Sequence, residues 1–194
     1  MTRHIVLAST SKWRRGLLER LGLAFTQCSP LFEEGPRPDL TPIQVARVFA
    51  VGKAESLLAQ CPGSLIIGSD QVLDLDGERL DKPESMDACR HRLRQLSGHW
   101  HALHTGVAII DSTSGAVYSG GVTVRLKMRQ LSDEMVECYL ERDNPVGAAG
   151  AYLLEGAGIA LFDAIEGSDE SAVVGLPLLL VCELLRSHGV EPLS

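Results

Sequence analysis

No apolar run in this 194-residue chain approaches the ~20 residues that a membrane-spanning helix requires. The N-terminal MTRHIVLAST also lacks the cleavage site of a signal peptide, so a cytoplasmic protein is expected. There is no Cys-x-x-Cys pair. Cys28, Cys61, Cys89, Cys138 and Cys182 stand far apart along the chain, and an odd count of five points to reduced thiols. A disulfide framework or a cysteine zinc site is therefore not expected. Basic charge is not in excess either. A net charge of −7 excludes a general affinity for nucleic-acid polymers, so any anion site must be local. The phosphate loop GxxxxGK(S/T) and the dinucleotide fingerprint GxGxxG are both missing, which disfavours the common kinase and dinucleotide folds. No repeat, low-complexity tract or linker breaks the chain, so residues 1–194 read as a single domain, or as two lobes sharing a core.

What is present alternates between strand and helix patterns. Strands are expected at 4–9, 24–28, 64–75, 99–111 and 115–128, with a further Gly-rich strand region over 148–165. Helices are expected at 11–22, 43–60, 85–96, 132–142 and 177–188, and a Pro-rich loop runs from 29 to 42. Asp76-Gly77 and Ser114-Gly115 mark turns. The pattern is that of an α/β fold, a mixed twisted sheet with flanking helices.

Several residues ask for more than a fold. Ser11 is the natural N-cap of the first helix, which puts Lys12, Arg14 and Arg15 in its first turn. That end of a helix already carries partial positive charge and favours acids. A bound polyphosphate would make the cations tolerable there. In the helix over 43–60, Lys53 shares a stripe with Phe49 and Leu57 and so points toward the core. For a lone lysine the simpler expectation is a buried stem with the amine snorkelling out, unless other charges converge on it. Asp70 interrupts the apolar run SLIIGSDQVL, a costly position unless the carboxylate is paired or holds a cation, and Gly68 before it suggests close approach of a ligand or backbone. Asp81-Lys82-Pro83 holds a lysine in extended chain, and Glu33-Glu34 follows Pro30; each is weak alone. Of His99, His101 and His104, only the first two share a strand face and no carboxylate motif accompanies them, so structural histidines are expected. Together, Ser9, Arg14, Arg15, Lys53 and Lys82 suit phosphates, while Glu34 and Asp70 suit Mg²⁺.

The stretches LASTSKWRRGLL, PLFEEGPR, VGKAESL, IIGSDQVL, DKP, QLSGHW, HTGVAI and GAYLLEGAGIALFDAIEGSDESAVVGLPL occur in order along almost the whole chain. In them the sequence resembles the Maf-like nucleotide pyrophosphatases. Trp13, Gln71 and Glu155 resemble the subgroup that hydrolyses 7-methyl-GTP; a dTTP/UTP subgroup would show Arg, Thr and Gln at those places. The family usually has proline where this chain has Lys12 and glycine where it has Asp81. The resemblance implies two lobes around a cleft and hydrolysis of a nucleoside triphosphate to monophosphate and pyrophosphate, which would clear modified nucleotides. It implies catalytic roles for Asp70, Lys53 and Lys82, and substrate binding by Ser9, Trp13, Arg14, Arg15, Gln71 and Glu155. Mg²⁺ or Mn²⁺ would be held by Glu34 and Asp70. The expected partner is the nucleotide, with no nucleic-acid polymer and no membrane; a homodimer is left open. The alternatives are a dTTP/UTP pyrophosphatase and a nucleotide-binding regulatory module in cell division.

Overall fold

The computed structural model describes residues 3–193. In chain order the elements begin with β1 (His4–Ala8), α1 (Lys12–Glu19), β2 (Phe25–Cys28), α2 (Pro42–Glu55), β3 (Ser64–Leu75) and β4 (Glu78–Leu80). Next come α3 (Met86–Leu96), β5 (Trp100–Asp111), β6 (Val117–Met128) and α4 (Asp133–Asp143). A 3-10 turn (Ala157–Leu161) then leads into β7 (Phe162–Glu166), α5 (Ser171–Val174) and α6 (Leu178–Ser187). The strands form one seven-stranded mixed sheet in the order β2-β1-β3-β5-β6-β7, with β4 pairing β3. β1 runs parallel to both β2 and β3, whereas β4 on β3 and β7 on β6 are antiparallel. Among the described residues no helix is long and apolar enough to cross a membrane.

The chain divides into two compact units. The first contains residues 1–71, 105–122 and 169–194; the second contains 72–104 and 123–168. β3, β5 and β6 each contribute residues to both. In the first unit β1 and the first half of β3 are buried on both faces, as their unbroken apolar runs require. Alternate residues Ile5, Leu7, Leu65 and Ile67 pack with α1 and α6 through Leu17, Leu18, Val181 and Leu185. Val6, Ala8 and Ile66 face the other way, toward Ala54 and Leu57.

α2 lies unusually close to this second face. A Cβ at Gly68 would overlap the Ala50 carbonyl oxygen, and one at Gly106 would overlap that of Ala46. Only glycine in the strand and alanine in the helix permit that approach. Pro42 opens the helix, and the Thr41 N–H donates to Gln44 Oε1 at 2.9 Å. The helix stops at Glu55, short of the expected residue 60, where the Ser56 hydroxyl donates to the Lys53 carbonyl at 2.8 Å. All five cysteines are free thiols, with Cys28 and Cys61 in contact and burial pushing the Cys61 thiol up.

In the second unit α3 and α4 are joined by Arg90, which grips both carboxylate oxygens of Glu137. The Gly-rich region expected as strand over 148–165 is instead a series of turns, the 3-10 turn and β7. Its glycines serve close backbone approach: a Cβ at Gly158 would overlap the Leu153 carbonyl. Two short elements, β4 and α5, have no counterpart among the expected segments.

Candidate active site

The close seat of α2 on β3 decides what Lys53 can reach. Lys53 lies on the turn after Ala50 and Asp70 lies two strand residues after Gly68, so both side chains enter the gap on the same face of the sheet. Lys53 is 7% exposed and Asp70 2% exposed, and Lys53 Nζ donates to Asp70 Oδ1 at 2.6 Å. The amine does not snorkel out. Its second carboxylate is Glu34, whose Oε1 stands 2.5 Å from Nζ. The loop brings Glu34 there because Phe32 lies on Gly52, where a Cβ would overlap the ring, and packs edge-on against Phe49 with centroids 5.5 Å apart. The Leu31 N–H donating to Ser56 Oγ at 3.0 Å fixes the same loop further back.

Arg14 is the second buried cation. Ser11 caps α1 as expected, accepting from the Arg14 N–H at 3.3 Å, and the guanidinium Nε donates to the Gly175 carbonyl at 2.8 Å. Burial pulls the Arg14 pKa down, while the charges of Asp70 and Glu34 push it up. The cluster therefore sets two cations against two carboxylates. The other first-turn cations have partners too: Arg15 Nε pairs with Glu19 at 2.9 Å on the surface, and Lys12 Nζ stands over the Trp13 ring, 4.6 Å from its centroid. Arg14 and Arg15 thus each have partners within the protein, although burial outweighs the nearby carboxylates at Arg14.

On the opposite face of β3, Ser69 donates its hydroxyl toward the Gly106 and Gly175 carbonyls, both at 2.9 Å. Gln71 spends its amide nitrogen on Thr105 Oγ1, Ala172 O and Val173 O at 3.1, 2.8 and 3.0 Å. The two side chains and Arg14 thus fasten the α5–Gly175 segment, and Gly175 takes a φ of 110° that a side chain would strain. Ser9 is buried, its hydroxyl accepting from the Ser11 N–H at 3.1 Å. Asp169 and Ser171 went unnoticed in the sequence. Asp169 accepts from the Ser171 N–H and hydroxyl and from the Leu179 N–H, and Ser171 Oγ accepts from the Leu178 N–H, so the pair caps α6. Asp-x-Ser ahead of an apolar helix was the available signal.

The remaining candidates belong to the second unit. Lys82 is exposed in the segment after β4, and Pro83 is buried with its carbonyl accepting from the Gly147 N–H at 2.9 Å. Arg92 donates to the Ala149 carbonyl at 3.2 Å, tying the same stretch to α3. Glu155 stands in the turn before the 3-10 segment, where partial burial pushes its carboxyl above the usual range. His99, His101 and His104 go to separate partners: the Ser97 carbonyl, the Tyr152 hydroxyl, and Asp74 with Thr123. Among the described residues no group of three or more His, Cys, Asp and Glu side chains could hold a metal ion by itself. Glu34 and Asp70, converging on one ammonium, fit the pattern of Mg²⁺ held by one or two carboxylates with phosphate oxygens completing the shell.

The family profile described as Maf-like protein matches residues 4–188. A 7-methyl-GTP pyrophosphatase of Syntrophotalea carbinolica is 40% identical over 191 residues, covering 98% of this chain and 97% of that protein. Among solved structures, a nucleoside-triphosphatase, or dITP/XTP pyrophosphatase, of Mycobacterium abscessus aligns with 66% of this chain and 75% of its own at 16% identity and a TM-score of 0.41. With a profile match over nearly its whole length, the chain belongs to the Maf family.

Proposed function

We propose that this Maf-family chain is a nucleoside triphosphate pyrophosphatase that converts 7-methyl-GTP to 7-methyl-GMP and pyrophosphate. The observation that carries the reading is the buried Lys53, bonded to both Asp70 and Glu34 beside Arg14. The named activity of the relative at 40% identity supports the substrate. A cytoplasmic location goes with that reading, and five free thiols suit it.

Asp70 takes the proton of a water whose oxygen attacks the α-phosphorus, and the bond from that phosphorus to the αβ-bridging oxygen breaks as pyrophosphate leaves. Lys53, Arg14 and Lys82 hold phosphate oxygens and offset the charge that develops on them. When a nucleotide enters, its phosphates compete with the carboxylates for Lys53, and Asp70 gains freedom to act as a base. Glu34 and Asp70 would hold Mg²⁺ or Mn²⁺, which supplies charge neutralisation and Lewis acidity on the phosphates. Trp13 stacks on the cationic 7-methylguanine ring, and Glu155 accepts from the guanine N1–H and exocyclic amine, a donor pair that thymine and uracil lack.

Incubating the protein with Mg²⁺ and, in turn, 7-methyl-GTP, GTP, dTTP and UTP, with pyrophosphate as the readout, tests this. The expected result is the highest kcat/KM on 7-methyl-GTP. Equal rates on dTTP and 7-methyl-GTP would overturn the substrate, and no pyrophosphate from any of them would overturn the activity.

A further inference from the structure

We infer that Tyr139 and Asp143, at the end of α4, form a clamp that positions Glu155 and thereby sets base selectivity. The inference rests on the reading of Glu155 as the base-reading residue and adds to it two residues that the sequence reading passed over.

Glu155 lies at the tip of a turn running from Leu153 to Ala157. Tyr139 and Asp143 are four residues apart on α4, so they stand one above the other on one face of the helix. The two ends of the Glu155 turn are bonded to them in the same order: Tyr139 Oη accepts from the Leu153 N–H at 2.8 Å, and Asp143 Oδ2 accepts from the Ala157 N–H at 2.7 Å. Burial, with the Asp143 charge adding to it, pushes the Tyr139 phenol pKa up. From inside the turn, the Leu153 carbonyl accepts from the Gly156 and Gly158 N–H groups at 3.2 and 3.0 Å.

Both glycines following Glu155 are explained by this geometry. A Cβ at Gly156 would overlap the Asp143 carboxylate, and one at Gly158 would overlap the Leu153 carbonyl. The clamp itself is rigid. Tyr139 is 5% exposed, α4 is fastened to α3 through Arg90 and Glu137, and the helix ends at Asn144 in the left-handed conformation with its N–H on the Leu140 carbonyl at 3.2 Å. Glu155 thus hangs on a short turn pinned at both ends to one helical face.

A carboxylate that must accept two parallel hydrogen bonds from the flat edge of a purine gains little if its backbone wanders by an ångström. Pinning both ends of the turn removes that freedom before the nucleotide arrives. A clamp that merely stabilised the fold would affect every substrate alike. One that positions Glu155 affects the guanine nucleotide and leaves pyrimidine nucleotides untouched.

Tyr139→Phe keeps the ring and removes the hydroxyl; Asp143→Asn keeps the shape and removes the charge. For each, kcat and KM are measured on 7-methyl-GTP and on UTP, with circular dichroism and thermal melting to establish folding, beside Glu155→Gln and the double variants. The expected result is a 7-methyl-GTP preference over UTP lowered by about 3- to 10-fold, carried mainly by KM, with UTP kinetics within about twofold of the parent. Neither change should lower the preference further in the Glu155→Gln background. Equal losses on both nucleotides, or full additivity with Glu155→Gln, would overturn the clamp and leave the Glu155 reading standing. A Glu155→Gln protein with unchanged preference would overturn both.

Discussion

At the scale of single residues the decisive feature is a buried lysine held by two carboxylates. Removing one partner of such a group leaves a charge without compensation, and that costs more than the intact pair is worth. Lys53→Met keeps the apolar stem but strands Asp70, which is 2% exposed. Urea denaturation is expected to show a loss of about 3–5 kcal/mol, with turnover abolished. Adding Asp70→Asn should restore most of the stability and none of the turnover; a Lys53→Met protein as stable as the parent would mean that Arg14 alone balances Asp70. Asp70→Asn by itself should stay folded and lose at least ~10²-fold in pyrophosphate release, the loss expected of a missing general base. Lys12 is a finer case. Its ammonium lies over the Trp13 ring at 4.6 Å, on a face that a cationic base would need. Lys12→Ala should therefore lower KM for 7-methyl-GTP by up to about 5-fold, in line with an exposed cation–π contact. A raised KM would instead assign Lys12 to the phosphates.

At the scale of elements, the site exists because α2 can touch the sheet. At Gly68 the obstacle to a side chain is the Ala50 carbonyl, which is backbone and cannot yield. Gly68→Ala should lift α2, part Lys53 from Asp70 and destabilise the protein by about 1–3 kcal/mol with loss of turnover. Gly52→Ala first meets the Phe32 ring, which can swing away, so it should leave stability close to the parent while loosening the loop that delivers Glu34. Measuring denaturation midpoint and turnover on the two variants separates these effects. The same elements show what a sequence can disclose. Ser11 as N-cap, β3 over 64–75 and the inward stripe of Lys53 follow from local period and capping chemistry, and the structure has all three. The 148–165 region misled because its glycines serve backbone approach in three dimensions rather than strand or turn propensity. Tyr139, Asp143 and Ser69 went unread for a related reason. Their partners lie on other elements, and no spacing along the chain announces them.

At the scale of the whole molecule, three strands carry residues of both units, so the units should unfold in one transition, and the acid limb of that transition can be assigned to named groups. His101 in the second unit is 3% exposed, bonded to the Tyr152 hydroxyl at 2.9 Å, and burial pushes it down to about 4 from an ordinary 6.5. The unfolded chain therefore takes up this proton first as the pH falls. The stability His101 contributes is fully present above about pH 6.5 and is lost progressively toward pH 4, a difference of about 3 kcal/mol. Asp111 in the first unit works in a lower window. Its bonds to Arg3, to the Thr113 N–H and to the Ser114 hydroxyl hold it well below the usual carboxylate range, so its contribution fades only below about pH 4. Glu155, pushed up by burial, acts in the opposite sense, favouring the folded state as the pH falls through the ordinary carboxylate range. Urea denaturation at pH 7, 5.5 and 4 should thus show a steady fall in stability with a single transition at each pH. His101→Gln, which keeps a hydrogen-bonding partner for Tyr152 and does not titrate, should flatten the curve between pH 6.5 and 4 and leave the lower limb in place. An unchanged slope in that variant would move the acid sensitivity to groups other than His101.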